Sequence, residues 1–326
     1  MAGSGAAQAG PLYDQGQLEL ESVLRDLQAW LPGEWNSFPQ IEYERTVRMP
    51  AEGEHDHWHR SFALIDAPQV GEVVFYGQIN IGSPDGPLIS RSQVLYKAWI
   101  DAARGAVVIN GQTPAEPERF VDLHKRPELW RQVRMRDPDA VRCDFLWRRD
   151  GAQIVGVLEG KTAASRKYGP GTCTYTSETT GQEFYADAEW VLTPEELWIY
   201  DLNTMGGRRF IGREDRTHIR LYRARPYRCR VRDALGARTL AAFDRGYVAD
   251  LKARDGSTLQ LRLLRAEYPA ASRFGLEDRL RLTIRMPDDL NGVPLVTADA
   301  APLAERIAVR LADRGVGARC ERLVER

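Results

Sequence analysis

The chain has 326 residues, 43% of them hydrophobic, and its 45 basic and 46 acidic side chains leave a formal net charge of -1 at neutral pH. The apolar share supports a sizeable core, while the near-zero charge provides no global field to draw nucleic acid or an anionic membrane surface. No apolar run approaches about 18 residues, so no transmembrane helix is expected.

In chain order, residues 1–17 are small, Gly-rich and polar and read as a flexible tail. They lack the basic start and apolar stretch of a secretory signal. "LELESVLRDLQAWL" sets Leu20, Val23, Leu24, Leu27, Trp30 and Leu31 at helical spacing, and Pro32-Gly33 ends that helix. The pattern then turns to strands. "GEVVFYGQINIG" places Val73, Phe75, Gly77, Ile79 and Ile81 on one face and Val74, Tyr76, Gln78 and Asn80 on the other. "SQVLYKAWID" and "GAVVING" follow, then a loop with a short helix in "PERFVDLHKRPELWRQV". Further strands are read in "RCDFLWRRDGAQIVGVLEG", "TCTYTSETTGQEFYADAEWVL", "ELWIYDLN" and "THIRLYRARP", with Asp150-Gly151 and Thr180-Gly181 as turns.

After Pro226 the texture changes. "GYVADLKARDGSTLQLRLLRA" is a hairpin turning at Asp255-Gly256, and "RLRLTIRMP" and "VGARCERLV" are strands. "PLAERIAVRLADRG" reads as an amphipathic helix, with Leu303, Ile307 and Leu311 on one stripe and Gly315 as its stop. The organisation expected is a tail, a β domain over 18–225, and a β-rich module with one helix over 226–326. Many short strands and few helices indicate a sandwich or barrel. Cys143, Cys173, Cys229 and Cys320 are far apart and form no CxxC pair, so structural zinc is not expected and a reducing cytoplasm fits. Cys143 and Cys173 lack a neighbouring His or helix N-terminus that would activate them, and they read as buried structural thiols.

A set of motifs runs in a recognisable order. "LQAWLPGEWNSFPQ", containing Gln40, is followed by His57 or His59 at the start of a strand and then by "FYGQ". Cys143 precedes "DFLW", "IVGVLEG" precedes Cys173, and "GQEFYADAEWVLTPEELWIYD" supplies Tyr185, Asp187, Glu189 and Asp201 before Arg220 in "THIRL". From about Leu18 to Arg223 the chain thereby resembles the CpcT/CpeT family of phycobilin lyases. The resemblance implies a lipocalin-like antiparallel barrel behind an N-terminal helix. It also implies that an open-chain tetrapyrrole, or a similar elongated conjugated molecule, is bound and attached to a cysteine of an acceptor protein. A homodimer is compatible with it. Three positions depart from the family. Gly77 replaces the Glu of a Glu-Gln pair, Tyr96 alone answers to a Pro-Tyr-Arg motif, and Leu202-Asn203 follows Asp201 in place of Arg-Gly.

Tyr185, Asp187 and Glu189 share one strand face. If that face turns inward, burial and mutual repulsion raise one carboxyl, making a general acid or a partner for pyrrole N–H groups. A solvated outer face is the other reading. Arg220 suits a carboxylate, either Asp187 or a ligand propionate. Tyr76, Gln78, Tyr96, Asp201 and His59 are the remaining candidate ligand contacts. His55, His57 and His59 would line one face of an extended segment and could hold zinc or copper. Their Gly- and Glu-rich loop favours imidazoles at a barrel mouth without a metal. Two further readings stand beside the lyase: a barrel that binds or transforms another small molecule, and a metal-dependent barrel using the three histidines.

Overall fold

A computed structural model describes residues 15–50, 52–89, 92–137, 143–160, 171–176, 181–269, 275–287 and 293–323. The protein is mainly β. Ten strands close into an antiparallel barrel. They are β1 (Gly33–Asn36), β2 (Trp58–Leu64), β3 (Val73–Ile81), β4 (Val94–Asp101), β5 (Ala106–Gln112), β6 (Cys143–Asp150), β7 (Gln153–Gly160), β9 (Glu183–Leu192), β10 (Glu196–Met205) and β12 (Ile219–Ala224). The ring runs β1 to β7 in order, then β9, β10 and β12 back to β1. Two short strands, β8 (Thr172–Thr176) and β11 (Arg208–Ile211), extend β9 and β10 beyond the ring.

Alternation decides what fills the barrel, because successive side chains of a strand point to opposite faces. Trp35, Trp58, Phe62, Phe75, Trp147 and Trp190 turn inward and form one core with Ile199, Ile219 and Leu221. Trp99 and Trp198 do not join it. The helix α1 (Gln15–Trp30) adds Val23 and Leu27 to that core, and Leu31 just beyond it joins them. The Arg149–Asp26 ion pair and the hydrogen bonds of Arg223 to the carbonyls of Trp30 and Pro32 tie α1 to the end of the barrel that carries the short turns. Residues 15–17, read as tail, are the first turn of α1, and the rest of that tail lies outside the described residues. A second helix, α2 (Phe38–Thr46), follows β1, and three 3-10 turns between Pro117 and Gln132 stand where one short helix was expected.

Beyond Ala224 the chain builds a β-sandwich. One sheet pairs β13 (Pro226–Asp233) with β14 (Gly236–Phe243) and β20 (Val316–Arg322), and β20 with β19 (Arg306–Leu311). The other orders β15 (Arg245–Lys252), β16 (Thr258–Pro269), β17 (Leu276–Arg285) and β18 (Val296–Ala300). The amphipathic helix expected around Leu303–Leu311 is strand β19. Ile307 and Val309 alternate into the sandwich core, and Gly315, at φ +68°, closes the β19–β20 turn rather than a helix. A period of two fits Ile307, Val309 and Leu311 as well as a helical period does. Pairing with β20 settles the choice because it satisfies the backbone along the whole strand.

The four cysteines correct another expectation. Cys143 bonds Cys173, and Cys229 bonds Cys320 directly across β13 and β20 with Cα atoms 3.9 Å apart. None is a free thiol. The inference of a reducing cytoplasm, drawn from unpaired cysteines, therefore loses its basis. No helix among the described residues is long and apolar enough to cross a membrane.

Candidate ligand site at the barrel mouth

Opposite the end closed by α1, the barrel opens into a cavity of about 590 Å³. Its floor is Trp58, Ile199, Asp201 and Ile219, all from inward positions of β2, β10 and β12. Phe210 of β11 and the 212–217 loop form a wall, and His55 is joined to that loop through the Thr217 hydroxyl, 3.0 Å from its Nε2. Arg213 fixes the loop. It bonds Asp215 and donates to the carbonyls of Gly53 and Glu54, joining the two chain segments that frame the opening. Those bonds to Arg213 hold the Asp215 carboxyl well below the usual carboxylate range.

Asp201 is the ionisable group of the floor, and Arg60 lies buried behind it among the indole rings. Arg60 stands between Trp58 and Phe62 on the inward face of β2 and is 3% exposed. Its guanidinium lies 5.0 Å from the Trp58 ring centre and 5.1 Å from that of Trp190, in cation–π contact with both. Its Nε has no hydrogen-bond partner, and burial lowers its pKa. Asp201 faces it from β10. Burial raises the Asp201 carboxyl, and the Arg60 charge and a hydrogen bond from Asn203 offset only part of that rise. Tyr96 borders both groups, and burial pushes its hydroxyl up to about 12, so it stays a neutral donor. The result is a carboxyl that keeps its proton to higher pH than usual, at the base of an open cavity, backed by a cation and by indole rings.

The other candidate residues lie elsewhere. Trp190, Ala188 and Ala186 are the inward residues of β9, so Tyr185, Asp187 and Glu189 occupy the outer face of the barrel. The alternation expected for them holds, but the inward orientation does not. Asp187 is bound by Arg216 at 2.7 Å and by the Tyr200 hydroxyl at 3.3 Å, and Glu189 by His218 at 3.2 Å. Arg220 does not pair with Asp187. It lies over the outer ring of Trp198, 4.3 Å from its centre. Tyr76 and Gln78 also face away from the interior, buried beneath the 3-10 turns. Gln78 donates to Asp122 at 2.8 Å and accepts from the Asp122 amide at 2.8 Å, while the Tyr76 hydroxyl reaches the Phe120 carbonyl at 2.8 Å. These two residues clip a long loop to the barrel wall. Gly77 is inward, and a side chain there would meet the rings of Tyr96 and Phe62.

His57 and His59 share a face and both bond the Asn36 amide, whereas His55 turns to Glu44. His55 meets Glu44 at 2.6 Å, His57 meets Asn36 at 3.0 Å, and His59 meets Glu34 at 2.8 Å on the outer face of the barrel. Among the described residues no group of three His, Cys, Asp or Glu side chains is placed to hold a metal. Burial lowers His57 to about 4.

No known family's sequence profile matches the chain, and no curated protein matches it. A solved structure of the CRL protein of Arabidopsis aligns with 63% of this chain and 97% of that one, at 12% identity and a TM-score of 0.43.

Asp201 on the cavity floor and Tyr96 in the interior behind it were among the sequence candidates, whereas Arg60 was not. The signal for it was present. In "WHRSF", Arg60 takes the inward position between Trp58 and Phe62, and a charge in an apolar alternation is the anomaly that marks a site.

Proposed function

We propose that the barrel binds an elongated conjugated small molecule at its mouth and, like the chromophore lyases its sequence resembles, assists transfer of that molecule to an acceptor cysteine. One observation carries this reading: a cavity of about 590 Å³ whose floor is the half-buried Asp201 carboxyl beside Trp58. That volume falls within the roughly 300–1,000 Å³ range of small-molecule sites. A flat terminal ring entering the mouth meets the Trp58 indole and the Phe210 ring. The protonated Asp201 carboxyl can donate to a ring nitrogen, which makes the conjugated carbon beyond that ring more electrophilic toward an incoming thiol. Glu52, Glu54, Asp56 and Glu214 at the rim disfavour burial of a ligand's own carboxylates, so propionates stay outside, where Arg209 is exposed.

A carrier without transfer chemistry is the second reading. It is favoured by the outward placement of Tyr185, Asp187 and Glu189, which leaves Asp201 as the inward acid on the cavity floor. Titration of the purified protein with an open-chain tetrapyrrole, followed by tryptophan quenching and visible absorbance, tests binding, and Asp201→Asn should weaken it. Co-expression with bilin synthesis and a phycobiliprotein tests transfer. A zinc-fluorescent acceptor band supports the lyase, and saturable binding without that band leaves the carrier. No saturable binding removes both.

A further inference from the structure

We infer a second ligand site, for a phosphate monoester, in the junction between α2 and the outer face of the β15–β18 sheet. It is independent of the barrel reading. The cavity there measures about 330 Å³. Its placement follows from alternation. Leu261, Leu263, Leu282 and Ile284 enter the sandwich core, so Arg262, Leu264, Arg281, Thr283 and Arg285 emerge on the opposite face toward α2. Arg262 and Thr283 are directly paired across β16 and β17.

Four arginines, Arg48, Arg262, Arg281 and Arg285, line the cavity, against the single carboxylate of Glu42. Asp299 stands beside it and engages Arg281 through two bonds of 2.7 and 3.0 Å. Two of the arginines thus meet a carboxylate, Arg262 with Glu42 and Arg281 with Asp299. Donors inside the cavity also lack acceptors. Thr283 is 4% exposed and its Oγ1 has no hydrogen-bond partner, although a buried hydroxyl is ordinarily paired. Arg262 is equally buried. Its Nη1 donates to Glu42 at 2.6 Å, but its Nε donates to nothing. Arg48 stands exposed at the rim. Burial raises the Glu42 carboxyl, and its Oε2 is unpartnered, so a protonated Glu42 would present one more donor.

This donor set exceeds what the two oxygens of a carboxylate satisfy and suits the three terminal oxygens of a phosphate monoester. The cavity equals the liquid volume of about ten waters, more than a bare ion needs. The excess is walled by Leu264 and by Tyr268, whose ring is covered by Arg281 at 3.7 Å, and it would take an organic group.

The test is calorimetric titration of the full chain at low ionic strength with phenyl phosphate, inorganic phosphate and benzoate. Phenyl phosphate should bind at one saturable site, more tightly than either comparison. Thr283→Val removes a hydroxyl with no protein partner, and Arg48→Ala alters an exposed side chain, so both variants should fold with unchanged melting temperature. Each should weaken phenyl phosphate by roughly 5- to 10-fold. Absence of saturable binding, or wild-type affinity in both variants, overturns the site. Benzoate binding as tightly as phenyl phosphate overturns the phosphate assignment, and inorganic phosphate doing so overturns the monoester in favour of the free ion.

Discussion

The barrel and the sandwich are built from the same antiparallel alternation, yet they treat their interiors differently. The sandwich core is almost wholly aliphatic: Leu251, Leu261, Leu263, Leu282, Ile284, Ile307 and Val309 meet between the sheets, and the buried charges of this module, such as Asp244 and Arg262, lie outside that cluster. The barrel interior is aromatic, and two inward positions hold Arg60 and Asp201. Taking such charges out of water is unfavourable by several kcal/mol per ion in real proteins before partners offset it. An interior that tolerates them is organised around something besides stability, whereas the sandwich interior is not. Within the sandwich domain two of the unsatisfied polar atoms, Thr283 Oγ1 and Arg262 Nε, lie where it meets α2 of the barrel domain.

Four substitutions test this contrast. The largest effect is expected from Trp190→Ala. The Trp190 ring packs against Phe62, Tyr96, Phe145 and Trp147 with centroids 5.4 to 6.3 Å away, so truncation should destabilise the protein by about 3–5 kcal/mol in denaturant titration. A loss under about 1 kcal/mol would show that the lower barrel is not a packed core. In the sandwich, replacing Cys229 and Cys320 together by Ser should remove roughly 2–4 kcal/mol, because the bond joins residues 91 apart in sequence. Detection of free thiols in the denatured, unreduced wild type would contradict the pairing.

Arg60→Met should act in the opposite direction. Replacing a buried guanidinium that makes no ion pair among the described residues, and whose Nε is unpartnered there, by an apolar side chain of similar length should stabilise the barrel by about 1 kcal/mol or more. Destabilisation of comparable size would mean that Arg60 is structurally required. The smallest effect concerns pH. The folded-state pKa of Asp201 lies above its unfolded value, so the native state holds this proton more tightly. Its contribution is fully present below the unfolded carboxylate pKa and is lost as pH rises through the folded pKa. The stability difference between wild type and Asp201→Asn should therefore move against the wild type on raising the pH from acid to neutral. A difference independent of pH would place Asp201 in water.

Much of the barrel was legible because its signals are local. Leu20, Val23, Leu27 and Leu31 declare α1, and Gly151 at φ +58° closes the hairpin read from Asp150-Gly151. The alternation of β3 and β9 appears in the structure as written. The candidate site was legible only in part. Asp201 and Tyr96 are inward, while Tyr185, Asp187, Glu189, Tyr76 and Gln78 are on the other side of the same wall. A strand's period of two separates its faces but carries no label for which is inside. The helix expected at Leu303–Leu311 failed for a related reason, since a short apolar pattern is compatible with either period until a neighbouring strand offers its backbone.

The sequence by itself determined that this chain is mainly β, where its turns fall, and which residues share a face, because those properties depend on neighbours a few positions apart. Tertiary structure alone decided which face closes inward, that the cysteines pair, and that Arg60 confronts Asp201 across the barrel. Those outcomes depend on pairings between segments far apart in the sequence, 30 and 91 residues for the two disulfides, where burial of the larger aromatic surface prevails over local polarity.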